Sequence, residues 1–214
     1  MKTLFIEAKY KGKVNLTKIK VDSLPKKIGL ITTVQFVDYL DKIKTYLESK
    51  GKTILVGKGK QKYPGQILGC DAKSPIEIKN KVDAFLYIGT GKFHPLIVGV
   101  RTEKPVFTFN PISGKQNKLE NKEIENYKKR KKAAFVKFLS SDTIGIIVST
   151  KPGQHNIKQL TLLEKKYPKK EFYTFVTETL DYKQLENFPF IEAWVNTACP
   201  RIEEDIKIVN IEDL

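Results

Sequence analysis

Two cysteines, Cys70 and Cys199, stand in a chain of 214 residues with a single methionine. Neither lies inside an apolar run. Cys70 follows "YPGQILG" and precedes Asp71. Cys199 lies within "AWVNTACPRIEED", just beyond a strand-like segment and directly before Pro200 and Arg201. A cysteine in such a place can ligate a metal or cluster, act as a nucleophile, or pack as a small hydrophobe. Residue types alone leave the three readings open. Zinc is disfavoured, because a closed site wants four ligands, commonly in closely spaced cysteine pairs, and the chain has no such pair. Adding His94 and His155 gives a Cys2His2 set of unusual spacing. An iron–sulfur cluster would need more thiolates than these two.

Other reactive residues fall in similar places. His94 sits in "GTGKFHP" with Gly89 and Gly91; it is a helix-start histidine, or it contacts a ligand or moves a proton. Lys151, Gly153 and Gln154 form "KPGQ", which reads as a tight turn or as a contact for a carboxylate or phosphate. His155 follows it and reads as a surface residue. Arg201 is suited to clamping a carboxylate bidentately, or to a surface ion pair with Glu203 to Asp205. "GKGKQ" (57–61) resembles no phosphate-binding loop, because the closing Gly-Lys-Ser/Thr is missing.

The elements that must position these residues follow a βα alternation. Apolar runs predict strands at 27–33, 52–57, 83–91 and 105–111, then at 143–150, 171–177 and 190–197. Helical spacing fits 34–51, 74–81, the segment from Phe93, 119–139 and 155–167, with short helices near 181–187 and after Pro200. Residues 1–22 alternate weakly and read as one or two strands. "ISGKQNKLEN" reads as a polar linker. The fold class is therefore α/β: two similar domains with small parallel sheets flanked by helices. Both units open on a glycine-containing strand ending in Ser or Thr ("IGLITT", "IGIIVST"), a weak sign of duplication. Four strands run into loops that hold both cysteines and both histidines. Ligands of open α/β sheets bind at the carboxyl ends of strands.

Composition narrows the class further. The chain is 40% hydrophobic and 29% charged, with a formal net charge of +15, nearly all from lysine. No apolar run approaches the roughly 20 residues that span a bilayer. The N-terminus reads as no export signal. Two cysteines 129 positions apart make no disulfide framework, so a cytoplasmic protein is expected. The densest basic run, "YKKRKKAAFVKF" (127–138), is either a solvated helix face or a basic docking surface. No arginine-rich, zinc-finger or RNA-binding aromatic motif supports dedicated nucleic-acid binding.

Taken in order, "GLITTVQF", "YPGQILGCD", "DAFLYIGTGKFHPL", "TEKPVFTFNP", "IGIIVSTKPGQ" and "AWVNTACPRIEED" closely resemble the archaeal diphthamide synthases, the 2-(3-amino-3-carboxypropyl)histidine synthases. The resemblance runs from about residue 27 to 205. It implies noncanonical radical S-adenosylmethionine chemistry. Three similar α/β domains each give one cysteine to a [4Fe–4S] cluster, which cleaves S-adenosylmethionine to a 3-amino-3-carboxypropyl radical. That group is added to a histidine of translation elongation factor 2, the first step of diphthamide biosynthesis. Carried over residue by residue, the resemblance makes Cys70 and Cys199 the middle-domain and third-domain cluster ligands. It makes Gly89, Gly91, His94, Lys151, Gly153, Gln154, Arg201 and Asp205 neighbours of the cofactors.

The departure from the family is the first domain with its cysteine. The resemblance divides this chain into 1–26 (N-terminal strands, the tail of that domain), 27–118 (middle domain, Cys70) and 119–214 (C-terminal domain, Cys199). It implies a transferase active with a partner chain that supplies the missing domain and third cysteine. The alternative is a non-catalytic paralogue that binds elongation factor 2 or a full-length synthase. A dimer is compatible with either reading.

Overall fold

The run Lys27–Thr32 forms β1, buried at every position but the first. Its Ile28 and Leu30 pack against α1 (Leu40–Ser49), which follows a tight 3-10 turn over Val34–Tyr39. Ile43 and Leu47 are the buried stripe of α1. β2 (Thr53–Leu55), α2 (Lys73–Ile78), β3 (Ala84–Ile88), α3 (Phe93–Thr102), β4 (Val106–Phe109) and β5 (Gln116–Lys118) follow. The strand order is β2-β1-β3-β4-β5, parallel except for the last. α2 lies on the face opposite α1, where Ile78 reaches Gly29, and α3 packs beside it. The computed structural model describes residues 4–154, 158–204 and 208–214.

A second frame repeats the first. After α4 (Asn121–Ser140) come β6 (Thr143–Ser149), α5 (Lys158–Lys166), β7 (Glu171–Thr177), β8 (Ala193–Asn196) and β9 (Val209–Asn210). The order β7-β6-β8-β9 is parallel throughout and matches β2-β1-β3-β4. The chain divides into Met1–Glu125 and Asn126–Leu214 as compact units, one sheet to each. In the second, Phe138 of α4 and Leu160 and Leu163 of α5 cover Ile144, Ile146, Val148 and Val195. The other face has no α-helix among the described residues. The segments expected as short helices are short 3-10 helices (Tyr182–Asn187 and Pro200–Glu204), and rings cover that face: Phe175 meets Phe188 and Trp194, and Tyr173 meets Phe190.

One local device recurs. Gly29 pairs across the sheet with Phe85, and a Cβ on Gly29 would lie 2.4 Å from the Phe85 ring. Gly145 pairs with Trp194, and a Cβ there would lie 2.5 Å from the indole. In each unit the glycine makes room for an aromatic ring from the next strand.

Two expectations need correction. The described part of residues 1–22 forms no strand; it holds 3-10 turns at Leu16–Lys18 and Val21–Ser23. Its alternation is real: Tyr10, Val14 and Leu16 pack against the first core, and Ile19 and, just beyond the segment, Leu24 are buried in it. Its backbone is held by a side chain, however: the Gln116 amide accepts from Lys20 N–H (2.9 Å) and donates to the Lys20 carbonyl (3.3 Å). The polar linker contains β5, a three-residue antiparallel edge that lacks an apolar pattern to betray it. β9, only two residues long, was unforeseen as well. The start of the helix expected at 155 lies outside the described residues. No helix among them is long and apolar enough to cross a membrane.

Gly29→Ala and Gly145→Ala should each lower the melting temperature by about 2–10 °C, the cost of overpacking a filled core by roughly 1–3 kcal/mol. A double-mutant cycle checks the cause. Phe85→Leu should recover part of the Gly29→Ala loss, and strict additivity would exclude the ring as its source.

Candidate functional site

In each unit the loops of interest gather at the carboxyl ends of two adjacent strands. In the first unit these strands are β1 and β3. The Thr32 hydroxyl donates to the Ile88 carbonyl at 2.7 Å and ties the two ends together. Residues 65–67 then run alongside the end of β1: Thr32 N–H donates to the Gly65 carbonyl and Ile67 N–H to the Thr32 carbonyl. This places the cysteine segment against the β1 end.

Cys70 lies at the tip of a two-residue reversal. Leu68 and Asp71 exchange both backbone hydrogen bonds, at 3.0 and 3.1 Å, leaving Gly69 and Cys70 as the turn. The Asp71 carboxylate fixes both flanks, accepting from Gln61 Nε2 at 2.7 Å and from Lys73 N–H at 3.0 Å. Cys70 is exposed and outside any disulfide. Gly69 lies flat on Phe93, where a Cβ would come within 2.2 Å of the ring. Phe93 starts α3 and precedes His94. The Cys70 turn therefore rests on the loop that holds Gly89, Gly91 and His94. Lys60 beside Lys73 holds the Lys73 ammonium below its ordinary pKa, since two cations share the flank of this turn.

The glycine loop is built on Tyr87, a residue with no motif to mark it. Its side chain is 1% exposed, and its hydroxyl donates to the Thr90 carbonyl at 3.3 Å. Burial pushes its pKa up to about 12, against a hydrogen bond with Thr33, so it remains a donor at neutral pH. A Cβ on Gly89 would strike this hydroxyl at 2.5 Å. Gly91 takes φ +77°, a left-handed turn value natural to glycine. The His94 ring stacks on Tyr87, with centroids 6.1 Å apart and planes 16° apart.

In the second unit the equivalent strands are β6 and β8. Thr197 returns to β6, its N–H and hydroxyl both donating to the Ile147 carbonyl, at 3.1 and 2.9 Å. Asn196 shapes the next turn. Its Oδ1 accepts from Ala198 N–H (3.0 Å), and its Nδ2 donates to the Cys199 carbonyl (2.9 Å) and to Asn210 Oδ1 (2.7 Å). Cys199, half-buried and outside any disulfide, is thus held by two buried asparagines. The pattern "WVNTAC" carries a readable signal for this in Asn196, since asparagine after a strand favours such a turn. Asn210 lies too far along the chain to be read that way.

Beyond β6, Lys151 N–H donates to the Ser149 hydroxyl, and Gln154 N–H returns to the Lys151 carbonyl at 3.0 Å. With Pro152 second and Gly153 at φ +80°, this is a type II turn. Arg201 is exposed at the start of the 3-10 turn after Pro200. Cys199 and the "KPGQ" turn share the carboxyl end of the second sheet; Cys70, Gly89, Gly91 and His94 share that of the first. Asp205 and His155 lie outside the described residues. Among the described residues no three His, Cys, Asp or Glu side chains gather as a metal site, so each unit offers one thiol.

Comparison with known proteins places this arrangement. Residues 1–207 match the family model described as "Putative diphthamide synthesis protein". The 2-(3-amino-3-carboxypropyl)histidine synthase of Pyrococcus horikoshii is 34% identical over 198 residues, 90% of this chain and 55% of the relative. Subunit 1 of the Schizosaccharomyces pombe synthase is 30% identical over 188 residues, 84% of this chain and 42% of the relative. The crystal structure of Dph2 from Pyrococcus horikoshii superposes with a TM-score of 0.80 at 29% identity, covering 94% of this chain and 61% of that one. A second structure of that protein, with a 4Fe-4S cluster, gives 0.78 at 30% identity, covering 91% of this chain and 57% of that one. The chain thus spans about half the length of the curated relatives it matches. On its sequence match and its fold, this chain belongs to the diphthamide synthesis protein family.

Proposed function

We propose that this chain is the two-cysteine part of a cytoplasmic diphthamide synthase, which transfers the 3-amino-3-carboxypropyl group of S-adenosylmethionine to a histidine of translation elongation factor 2. Cys70 and Cys199 hold two corners of a [4Fe–4S] cluster. A partner polypeptide supplies a third thiolate. The observation that carries this reading is the presentation of one cysteine per unit, outside any disulfide, each on a turn fixed by its own polar network at the carboxyl end of a parallel sheet. A known relative was crystallised with a 4Fe-4S cluster, which supports the same chemistry.

The donor set fits the group in part. Thiolates are the usual ligands of iron–sulfur clusters, and two of them hold only part of a four-iron cluster. When bound and reduced, such a cluster supplies the electron that breaks a carbon–sulfur bond of S-adenosylmethionine. The tasks of this chain's other residues are binding and orientation. Arg201 and Lys151 bind the methionyl carboxylate. The Gly89–Gly91 loop brings backbone close to the cosubstrate, with His94 held beside it on Tyr87. Gly153 and Gln154 shape the opposing turn, and Asp205 belongs to the same surroundings.

The test is anaerobic copurification with a polypeptide matching the remaining part of the relatives, followed by iron–sulfur reconstitution. A brown complex with broad absorbance at roughly 400 nm is expected. Cys70→Ala or Cys199→Ala should abolish it. A stable complex that carries no iron and ignores both substitutions would instead favour the non-catalytic, accessory reading.

Asn196→Ala gives a finer check on how Cys199 is held. It removes three hydrogen bonds from a buried turn and should cost about 1–3 kcal/mol. Cluster absorbance should decay several-fold faster than in the parent complex at temperatures where circular dichroism still shows a folded chain. Equal decay in the two proteins would remove Asn196 from this role.

A further inference from the structure

The basic run 127–138 is not used by the site. It lies on α4, whose inner face is settled. Tyr127 and Phe138 are buried, Ala134 and Phe135 pack on the second core, and Lys131 reaches Asp213 at 2.7 Å while lying over the Tyr127 ring. The outer face is different. Lys129, Lys132, Val136 and Leu139 recur at spacings of three and four, which puts them on one stripe. Arg130, Ala133 and Lys137 lie beside it, and all seven residues are exposed. Val136 is 53% exposed and Leu139 48%. The helix has no acidic residue after Glu125, and Glu123 is engaged by Lys92 at 2.7 Å. Lys129 and Lys132 repel one another at this spacing.

Charge selects the kind of partner. A concentrated positive face attracts an anionic surface and steers its approach. A phosphate backbone would reward the lysines alone and leave the adjoining valine and leucine without a use. A protein surface with acidic residues around an apolar centre matches both halves of the stripe.

We infer that the outer face of α4 docks an acidic protein surface, with Val136 and Leu139 at the centre of contact and Lys129, Arg130, Lys132 and Lys137 around it. This rests on the proposed function, in which the acceptor is a histidine of a protein and the enzyme must hold a macromolecule.

The experiment measures binding of the full chain to purified elongation factor 2, without turnover, at two salt concentrations. Two variants of equal net charge are compared. One carries Lys129→Gln, Arg130→Gln, Lys132→Gln and Lys137→Gln; the other carries Lys26→Gln, Lys42→Gln, Lys81→Gln and Lys169→Gln, at exposed positions elsewhere. The α4 variant should bind about tenfold more weakly and lose most of its salt dependence, while the control stays within about twofold. Val136→Ser with Leu139→Ser should weaken binding by about fivefold at both salt concentrations. Equal losses in the two charge variants would reduce the effect to bulk charge and overturn the proposal. So would no binding by the parent chain, or tighter binding of a 20-nucleotide RNA lost in the same α4 variant. Binding with this pattern but no turnover in the reconstituted complex would count against the proposed function alone. Turnover with an unchanged KM for elongation factor 2 in the α4 variant would count against this inference alone.

Discussion

The contact on which the rest of each unit depends is a glycine facing an aromatic ring across two parallel strands. Gly29 faces Phe85, and Gly145 faces Trp194. Strand side chains alternate with a period of two, so a slip of one residue would drive each ring into an isoleucine or leucine instead. The ring and its glycine therefore fix the register of β1 on β3 and of β6 on β8. Register in turn decides which polar groups meet at the strand ends. Thr32 reaches Ile88 and Thr197 reaches Ile147 only because the pairing is set several residues earlier. A packing constraint in the sheet is passed on as a constraint on the loops that carry the cysteines.

The two units use one frame in different ways. In the first, the cysteine comes from the connection after β2, returns alongside the end of β1, and rests on Phe93 of the next loop. In the second, the cysteine follows directly from β8 and is pinned by Asn196 and Asn210. The aligned strand order makes the contrast visible, because β8 corresponds to β3, whose own loop carries Gly89, Gly91 and His94. One unit fixes its thiol by apolar contact and a hairpin, the other by buried amides. Both solutions spend local polar groups on backbone geometry, as expected where the chain must hold one conformation outside regular structure.

Much of the frame was legible because parallel strands buried on both faces read as continuous apolar runs. β1, β6 and β7 fall within a residue of their expected ends. The misreadings share a physical cause. β5 is polar and three residues long. Residues 1–22 alternate like a strand, yet at Lys20 the backbone pairs with a glutamine side chain. At the site, cysteine, glycine and histidine advertise themselves by rarity or by position after a strand. Tyr87 and Asn210 do not. A tyrosine inside "AFLYIG" reads as core, yet its hydroxyl, directed at Thr90, and its ring, stacked on His94, make it part of the loop. The partner of Asn196 lies 14 residues on, across a connection that sequence periodicity cannot close.

The distribution of thiols sets a further condition on any cluster bound here. A unit with one thiolate has little hold on a four-iron group by itself, whereas thiolates joined by a common chain act at high effective concentration. Helix α4 starts within the first unit and continues into the second, so the covalent link between them is a regular helix at this point. The same helix presents its charged stripe on its outer course. A thiolate offered by another polypeptide would have no such covalent aid. Its binding would have to draw on contact area between proteins.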